Sequence, residues 1–469
     1  MIARIARKEM VEMFRDGRFH LAAGIIGVLL LASLAAGWKQ YADLKTQHET
    51  AQRAERANWL GQKPKNPHQG AHYGVYAFKP KSQLSMVDTG VDPYVGVAVY
   101  LEAHKQNEFK FRPAQDASTS IQRFGELTAA TVLQLLIPLL IVLLTFSAFA
   151  GEREQGTMRQ VLSLGIGRGR LAAGKALGVA GALAVVLVPA TLVGVGTLAF
   201  TSTTGLLAVD VSRTLLMVGT YGAYFAIFLA LSLAISALAR SSRFALVALL
   251  AFWIVNGLVA TRAFSDLAGY LHPTPSEVEF DKALQADLAN STALNARLEQ
   301  IKQGLFQKYG VQKLDALPVN FRGISLQEAE DHGYTIFEKH YGDVFDSFDG
   351  QNAVYQWGSL AAPLLAVRSL SMGLAGTDFA HHRHFTTAAE DYRRTIIRYM
   401  NQDILVHPVK DGEEYLAGSD LWQKVPPFEY EAPSASWALG HYITSTVLLS
   451  GWLAATLLAA FVAANRIEA

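Results

Sequence analysis

The sequence contains six long stretches of apolar residues, separated by polar and charged segments. A helix needs about 20 mostly apolar residues to cross the hydrocarbon core of a bilayer, and each stretch meets that length. The pattern predicts an all-α membrane protein with six transmembrane spans, at residues 19–38, 127–150, 172–200, 215–238, 244–263 and 437–463. The first stretch is predicted to be a retained span rather than a cleaved signal peptide, because its apolar run is too long and Trp38-Lys39-Gln40 is a poor cleavage site.

A seventh apolar stretch, from Gly358 to Leu374, has an ambiguous pattern. It is short, is interrupted by Pro363 and carries Arg368 near its centre. An arginine at the middle of the bilayer costs about 2.5–3.5 kcal/mol on insertion scales. The pattern therefore favours an interfacial or re-entrant helix over a seventh span.

Basic residues near the ends of the spans predict the orientation of the chain. Lysine and arginine accumulate in residues 1–18, in the loop 151–171, at Arg240 and Arg243, and at Arg466. With six spans these four segments lie on one side, and cytoplasmic loops are the ones that carry such an excess. We therefore expect both termini in the cytoplasm. Residues 39–126 and 264–436 would then form an extracytoplasmic domain.

The two outer segments have patterns that are typical of folded, mainly helical structure. Apolar residues recur at helical spacing within residues 276–309. Ser325–Glu328 and Thr387–Glu390 have the spacing of a capping box and predict two helix starts. Residues 73–100 are expected to supply minor β content. Each segment is long enough for substantial structure, and the two could share one core.

The composition excludes several classes of protein. The 469 residues are 51% hydrophobic and 17% charged, with a formal net charge of +1 and no cysteine. A disordered chain would have fewer apolar residues and more net charge. Disulfide-stapled modules and cysteine-ligated metal proteins require cysteine, and a nucleic-acid-binding protein would be clearly basic. A membrane protein with a large water-facing part agrees with all of these values.

One segment has part of the spacing of a nucleotide-binding loop. Gly169, Gly174 and Lys175 fit the pattern G-x-x-x-x-G-K, but Ala176 stands where a hydroxyl should bind Mg²⁺. A span follows directly and no strand is predicted before it. The basic flank of a span is the better interpretation, and we expect this chain to hydrolyse no nucleotide itself.

A histidine cluster is the weak candidate for a metal site. His381 and His384 are spaced to share one face of a helix and could both bind a metal. No third ligand is evident, so an ordinary polar segment is the preferred interpretation. The nucleophile pattern G-x-S-x-G is absent from the sequence. We therefore predict a non-catalytic chain with no cofactor or metal of its own.

Polar residues inside the predicted spans are candidates for a translocation path, because polar groups in a bilayer are costly. The alternative is that they form hydrogen bonds between helices. The candidate path consists of Gln134, Pro138, Tyr221, Tyr224 and Asn256.

The segment that follows the second span, residues 151–171, is the most informative. It combines a charged turn, a short amphipathic helix and a basic return to the membrane. Apolar residues beside charges of both signs are typical of a surface that docks a soluble partner. An ordinary juxtamembrane helix is the alternative. The predicted docking residues are Glu152, Arg153, Glu154, Gly156, Thr157, Met158, Arg159, Val161, Leu162 and Leu164.

This segment resembles the cytoplasmic coupling region of type-2 ATP-binding-cassette (ABC) permeases. The resemblance rests on Glu-x-Glu-x-Gly-Thr at 152–157, Leu-Ser at 162–163, and the basic turn that leads to Gly174-Lys175. Further stretches resemble one branch of the family that has large outer insertions and a domain of unknown function. These are residues 71–76, 101–104, 124–127, 370–372, 376–378 and 381–401.

The resemblance implies the permease subunit of an ABC exporter in a bacterial inner membrane. A separate cytoplasmic ATPase dimer would bind ATP and Mg²⁺ and dock on the coupling segment. A second permease, identical or closely related, would complete the assembly. An extracytoplasmic partner is a further possibility, with membrane lipid but no nucleic acid. The alternative is an ABC-type mechanotransmission component, which would move an outer partner without transporting anything.

Overall fold

The computed structural model describes residues 1–107, 127–201, 210–408 and 415–467. Within these residues six helices are long and apolar enough to cross a membrane. Spans 1 to 6 are Phe19–Leu60, Ala129–Glu154, Arg168–Thr197, Val211–Leu238, Ser242–Leu271 and Ile443–Asn465. The prediction of an all-α membrane protein with six candidate spans is therefore confirmed. The resemblance stretch at 124–127 lies outside the described residues except for Leu127.

Several of the helix boundaries differ from the predicted ones, including those of spans 1 and 6. Span 1 belongs to a continuous helix, Gly17–Leu60, because no proline or glycine interrupts residues 38–60. Its outer half therefore projects well beyond the length that a bilayer needs. Span 6 begins at Ile443 rather than at 437, since the residues before it form a separate helix, Ala435–His441.

Spans 2 and 5 each contain one π-helical turn. These turns cover Val132–Leu136 and Val255–Val259, between α-helical segments on either side. A π turn displaces the regular backbone hydrogen bonds and often marks a functional site in a helix. The two turns contain Gln134 and Asn256, which the sequence analysis assigned to the translocation path.

An additional helix, Ile2–Arg15, precedes span 1 and packs against span 3. The close approach depends on two glycines of span 3. A Cβ atom at Gly174 would lie 2.5 Å from Ile5 Cγ2, and one at Gly178 would lie 2.9 Å from the Ala6 carbonyl oxygen. Small residues at four-residue spacing allow helices to approach closely in membrane proteins.

The described parts of residues 39–126 and 264–436 form a domain that we name the outer domain after its predicted position. This domain is mainly helical and contains one two-stranded antiparallel sheet. Strand β1, Val75–Phe78, pairs with strand β2, Ala98–Leu101, which confirms the predicted minor β content. The helices described in this domain, besides the end of the span 1 helix, include Pro67–His72, Asp92–Val95, Glu277–Ala289, Thr292–Tyr309, Phe321–Gly358, Phe379–Val406 and Ser419–Lys424.

The two outer segments share one hydrophobic core, as the sequence analysis expected. Trp59 of the first segment packs edge-on against Trp422 of the second, with ring centroids 6.1 Å apart. The Trp59 Nε1 donates a hydrogen bond to the Trp422 carbonyl at 2.9 Å. Both sheet strands also contribute to this core, which contains Phe385 and Ile397 of the later segment. Residues distant in sequence thus fold as one unit.

The predicted helix starts at Ser325 and Thr387 are wrong. Both positions lie inside longer helices, whose N-terminal caps are Asn320 and Asp378. A four-residue spacing does not start a helix where an earlier cap has already started one. The helix predicted over 276–309 is broken at Asn290, and its first part begins with a true capping box at Ser276.

The ambiguous seventh stretch forms the helix Pro363–Ala375, which we name the inner helix. Almost all of its side chains are buried, against spans 4 and 6, and it is not one of the candidate spans. Arg368 is stabilised there because its Nε donates to Gln134 Oε1 at 3.2 Å. The helix is therefore not a seventh candidate span, as expected, and its interfacial or re-entrant position stays a prediction.

Candidate functional site

The end of span 2 and the segment that follows it form two short helices joined by a sharp turn. The helices are Ala150–Glu154 and Thr157–Ser163, and we name the second one the docking helix. Gly156 joins them at a φ of +72°, a left-handed conformation that side chains other than glycine rarely adopt.

Three charged residues before this turn bind other spans of the same chain. Glu152 forms an ion pair with Lys175 of span 3, with an Oε1–Nζ distance of 2.7 Å. Arg153 donates to two carbonyls at the end of span 4, those of Ala237 at 2.7 Å and Ala239 at 2.6 Å. These contacts fasten the segment to spans 3 and 4.

Glu154 makes the corresponding contact with span 5. Its two carboxylate oxygens accept from the Ser242 backbone N–H at 2.9 Å and from the Ser242 hydroxyl at 2.6 Å. A carboxylate at the first turn of a helix satisfies a free N–H group and complements the helix dipole.

Lys175, the lysine of the partial nucleotide-loop pattern, is only 2% exposed. Its Nζ lies 2.8 Å from Glu9 and 2.7 Å from Glu152, so both carboxylates share its charge. Lys175 lies inside the continuous helix Arg168–Thr201, without the strand that precedes a phosphate-binding loop. Its contacts are those of a structural ion cluster.

The docking helix has one face toward the protein and one toward solvent. Met158 is fully buried among Phe149, Leu171 and Ile467. Arg159, the next residue, is exposed, and Leu164, the residue just after the helix, is 75% exposed. The remaining predicted docking residues lie between these faces, with Thr157, Val161 and Leu162 half-buried and Gly156 exposed in the turn.

The structure brings four of the five predicted path residues into one buried hydrogen-bond network. The Gln134 side chain donates to the Tyr221 hydroxyl at 3.2 Å, and the Tyr224 hydroxyl donates to the Gln134 carbonyl at 3.1 Å. The Asn256 side chain donates to the Tyr224 hydroxyl at 2.9 Å. The network therefore joins spans 2, 4 and 5.

Pro138, the fifth predicted residue, acts through the backbone. It has no N–H group to donate to the Gln134 carbonyl, which lies one helical turn earlier. That carbonyl is the oxygen that accepts from Tyr224. The proline and the π turn together make a backbone oxygen of span 2 available to span 4.

The network continues into the inner helix through residues that the sequence analysis did not select. The Asn256 Oδ1 accepts from the Leu364 N–H at 3.0 Å and so caps the start of this helix. The Tyr221 hydroxyl lies 2.9 Å from Ser371 Oγ, which donates to Asp88 at 2.5 Å. Burial raises the pKa of Asp88 above its ordinary value. No local pattern connects Asp88 and Ser371, which are 283 positions apart.

An apolar cavity of about 550 Å³ lies between spans 1, 2, 3 and 4. Leu30, Leu183, Met217 and Phe225 contribute to its wall. Tyr221 is the predicted path residue that also lines it, so this side chain connects the cavity to the hydrogen-bond network.

The two histidines of the weak metal candidate make other contacts. His381 Nδ1 contacts the Asp378 carboxylate, and its Nε2 lies 3.3 Å from Arg213 Nη2. His384 Nδ1 lies 3.0 Å from the Tyr430 hydroxyl. Burial opposes the charge on Asp378, but His381 and Tyr442 outweigh burial and hold the Asp378 pKa below its ordinary value. Both ring nitrogens of His381 are therefore occupied by protein groups.

Comparison with known proteins identifies the family of this chain. The family described as "ABC-2 family transporter protein" matches residues 3–333, and a domain of unknown function, DUF3526, matches residues 277–431. A probable ABC transporter permease protein, NosY, of Pseudomonas aeruginosa is 33% identical over 125 residues. That match covers 25% of this chain and 43% of the relative. The chain belongs to the ABC-2 transporter family and is a multi-pass integral membrane permease.

Proposed function

We propose that this chain is the permease subunit of an ABC exporter in a bacterial inner membrane. A separate ATPase dimer binds ATP and Mg²⁺ and docks on the cytoplasmic side. Two permeases, either two copies of this chain or this chain and a close relative, form the membrane part. Both termini lie in the cytoplasm, and the domain that contains the two-stranded sheet lies outside. Family membership and the arrangement around the docking helix support the proposal.

The observation that carries the proposal is the way in which the docking helix is attached. Glu152, Arg153 and Glu154 connect its base to spans 3, 4 and 5, and span 2 leads directly into it. A partner that pushes on the exposed face therefore moves the ends of four spans together. This is the mechanical requirement for a permease that is driven by a separate ATPase.

The same movement would reach the buried network and the cavity. Spans 2, 4 and 5 hold the network, and span 4 also forms part of the cavity wall. A shift of span 4 would change both at Tyr221. The cavity favours transport over the mechanotransmission alternative, because a component that only transmits force requires no binding space between its spans. Its apolar wall fits an apolar substrate or an acyl chain.

The docking assignment is tested by charge changes on the exposed face. We expect Arg159→Glu and Leu164→Asp to reduce copurification of the ATPase subunit and substrate-stimulated ATP hydrolysis, while the chain still inserts normally. Leu314→Asp is the matched control, because Leu314 is exposed in the outer domain. Normal copurification and hydrolysis for both docking variants would contradict the assignment.

The absence of cysteine from the sequence makes the topology directly measurable. A membrane-impermeant maleimide should label Leu164→Cys from the cytoplasmic side only and Gly304→Cys from the outer side only. Space is available at Gly304, where an added Cβ atom meets nothing within 4 Å. Labelling of both positions from the same side would refute the proposed orientation.

A further inference from the structure

We infer that the outer domain contains a binding site for a divalent transition-metal ion, formed by His68, His72 and His104. One ring nitrogen of each residue lies within 4.8 Å of the other two. His68 and His72 are one turn apart on the helix Pro67–His72, and His104 follows strand β2. The site is independent of the docking helix and of the proposed transport function.

The hydrogen bonds around these rings determine where their lone pairs point. His104 Nδ1 lies 2.5 Å from the Glu330 carboxylate, which only accepts, so this nitrogen carries the hydrogen. His68 Nδ1 lies 3.1 Å from Asn401 Oδ1 and likewise donates. The Asn401 amide nitrogen is directed elsewhere, because it donates to Gln327 at 3.2 Å.

The two remaining nitrogens therefore face each other with their lone pairs. His68 Nε2 and His104 Nε2 are 2.9 Å apart. Two lone pairs at that distance repel each other unless a positive centre lies between them or beside them. A metal ion bound by both nitrogens satisfies them, and the third imidazole, that of His72, is in contact with both rings.

The groups behind the histidines match the usual surroundings of metal ligands. Histidines that bind a metal donate their other ring N–H to a carboxylate or an amide oxygen, which orients the ring. Glu330 and Asn401 are both 1% exposed and supply these oxygens. Glu330 also accepts from the backbone N–H of His104 at 3.0 Å, so one carboxylate fixes both the ring and the chain.

The backbone of His104 has an uncommon conformation. Its φ is +62°, the one positive φ found at a residue other than glycine in the described residues. Such conformations cost energy and cluster at functional sites. Here the conformation places the imidazole against His68 while Glu330 holds the backbone N–H.

The chemistry of the ligands points to a borderline metal such as Zn²⁺. Three neutral imidazoles are the protein ligands of one class of catalytic zinc site, which leaves a fourth position for water or another molecule. His72 and His104 are exposed, so the fourth position faces solvent. Tetrahedral zinc places neighbouring nitrogens about 3.3 Å apart, so the His68–His104 pair needs to open by only a few tenths of an ångström. The His72 ring, which is exposed, moves further than the other two rings to reach the ion.

Zinc binding by the full chain tests the inference. The protein is purified in detergent without a polyhistidine tag and titrated with Zn²⁺ by calorimetry. We expect one zinc ion per chain, with an X-ray absorption spectrum that shows imidazole ligands. Glu330→Gln should weaken zinc binding by about 10–100-fold, because it removes the carboxylate behind His104. His72→Ala and His104→Asn should each weaken it at least as much.

Two control variants separate this site from other histidines. His407→Ala changes an exposed histidine of the same domain, and His384→Ala changes one of the residues in the weaker cluster. Both should bind zinc like the unaltered chain. His72 has an exposed side chain, so loss of folding is not expected for its variant and is monitored by gel filtration.

Two results would overturn the inference. The first is the lack of a stoichiometric zinc site in the unaltered chain. A proton shared by His68 Nε2 and His104 Nε2 would then explain their short contact. The second is zinc binding that His72→Ala and His104→Asn leave unchanged, which would place the ion elsewhere. Because the assay measures metal binding alone, its failure would not affect the proposed permease function.

Discussion

Replacing Lys175 with methionine should destabilise the end of the protein that contains the docking helix. The Lys175 ammonium group is almost fully buried and lies between the carboxylates of Glu9 and Glu152. It also lies 5.6 Å from the centre of the Phe149 ring. Methionine preserves much of the side-chain volume but removes the charge, so two carboxylates would remain close together without their common partner.

The size of the effect follows from burial. Removing one partner of a buried ion pair costs about 3–5 kcal/mol, because the other charge stays buried. Glu9 and Glu152 are 14% and 16% exposed, and Lys8 lies 3.4 and 3.9 Å from them. Partial hydration and this second lysine reduce the cost, so the lower end, about 3 kcal/mol, is expected. At about 2 °C per kcal/mol for a large domain, Tm should fall by roughly 6 °C.

Tryptophan fluorescence during heating in detergent measures this change. Lys39→Met is the matched control, because Lys39 forms an exposed ion pair with Asp43 at 2.7 Å. An exposed pair contributes no more than about 1 kcal/mol, so the control should melt within about 2 °C of the unaltered protein. Adding Glu152→Gln to Lys175→Met should restore part of the lost stability, since one uncompensated carboxylate is removed.

Equal melting temperatures for Lys175→Met and the Lys39→Met control would refute this reasoning. So would a double variant whose loss equals the sum of the two single losses, because independent sites add and coupled sites do not. ATP hydrolysis by the purified chain that disappears with Lys175→Met would instead point to a nucleotide site.

Two further predictions concern the outer domain. Gly323→Ala should destabilise the protein by about 1–3 kcal/mol, because the new Cβ atom would lie 2.7 Å from the Asn401 carbonyl oxygen. The control Gly342→Ala, in open space on the same helix, should stabilise the protein by about 0.5–1 kcal/mol. Similar melting temperatures for the two variants would contradict the packing argument. Asp92→Asn should be destabilising at pH 7 but not at low pH: burial raises the Asp92 pKa, but Lys79 and Lys81, at 2.8 and 2.7 Å, outweigh burial and hold it below its ordinary value. The stability that this carboxylate contributes is therefore present above about pH 4 and is lost as the pH falls through the lower folded-state pKa. The difference in melting temperature between the two proteins should therefore be smaller at pH 3 than at pH 7. A constant difference would show that the charge of Asp92 is not the cause.

The apolar pattern was sufficient to predict the six spans, because crossing a bilayer requires a continuous apolar run and little else. The inner helix could also be distinguished from a span, since Pro363 and Arg368 are local signals of that difference. Helix starts were predicted less well. The caps at Asn320 and Asp378 are single residues, whereas the spacing at Ser325 and Thr387 also occurs inside continuous helices.

Residues 151–171 show what the sequence could and could not determine about the candidate site. The position of this segment after span 2, its charges and its apolar residues are local properties, and they identified the segment. Which of its residues face a partner depends on contacts with other spans. Glu152 and Glu154 bind within the chain, while Arg159 and Leu164 remain exposed. Lys175 binds Glu152 and Ser242 binds Glu154, so partners that are remote in sequence determine which residues of the segment are held within the chain.

The sequence by itself determined the class of protein and the number of candidate spans, because both depend on composition and short-range spacing. The docking of a soluble partner on residues 151–171 stays a prediction. Only the tertiary structure decided which polar groups meet. Gln134 with Arg368, Tyr221 with Ser371, and His68 with His104 each join separate elements of the chain. In a buried or membrane environment every polar group must find a partner. The fold selects that partner from the whole chain, so no local pattern encodes the pairing.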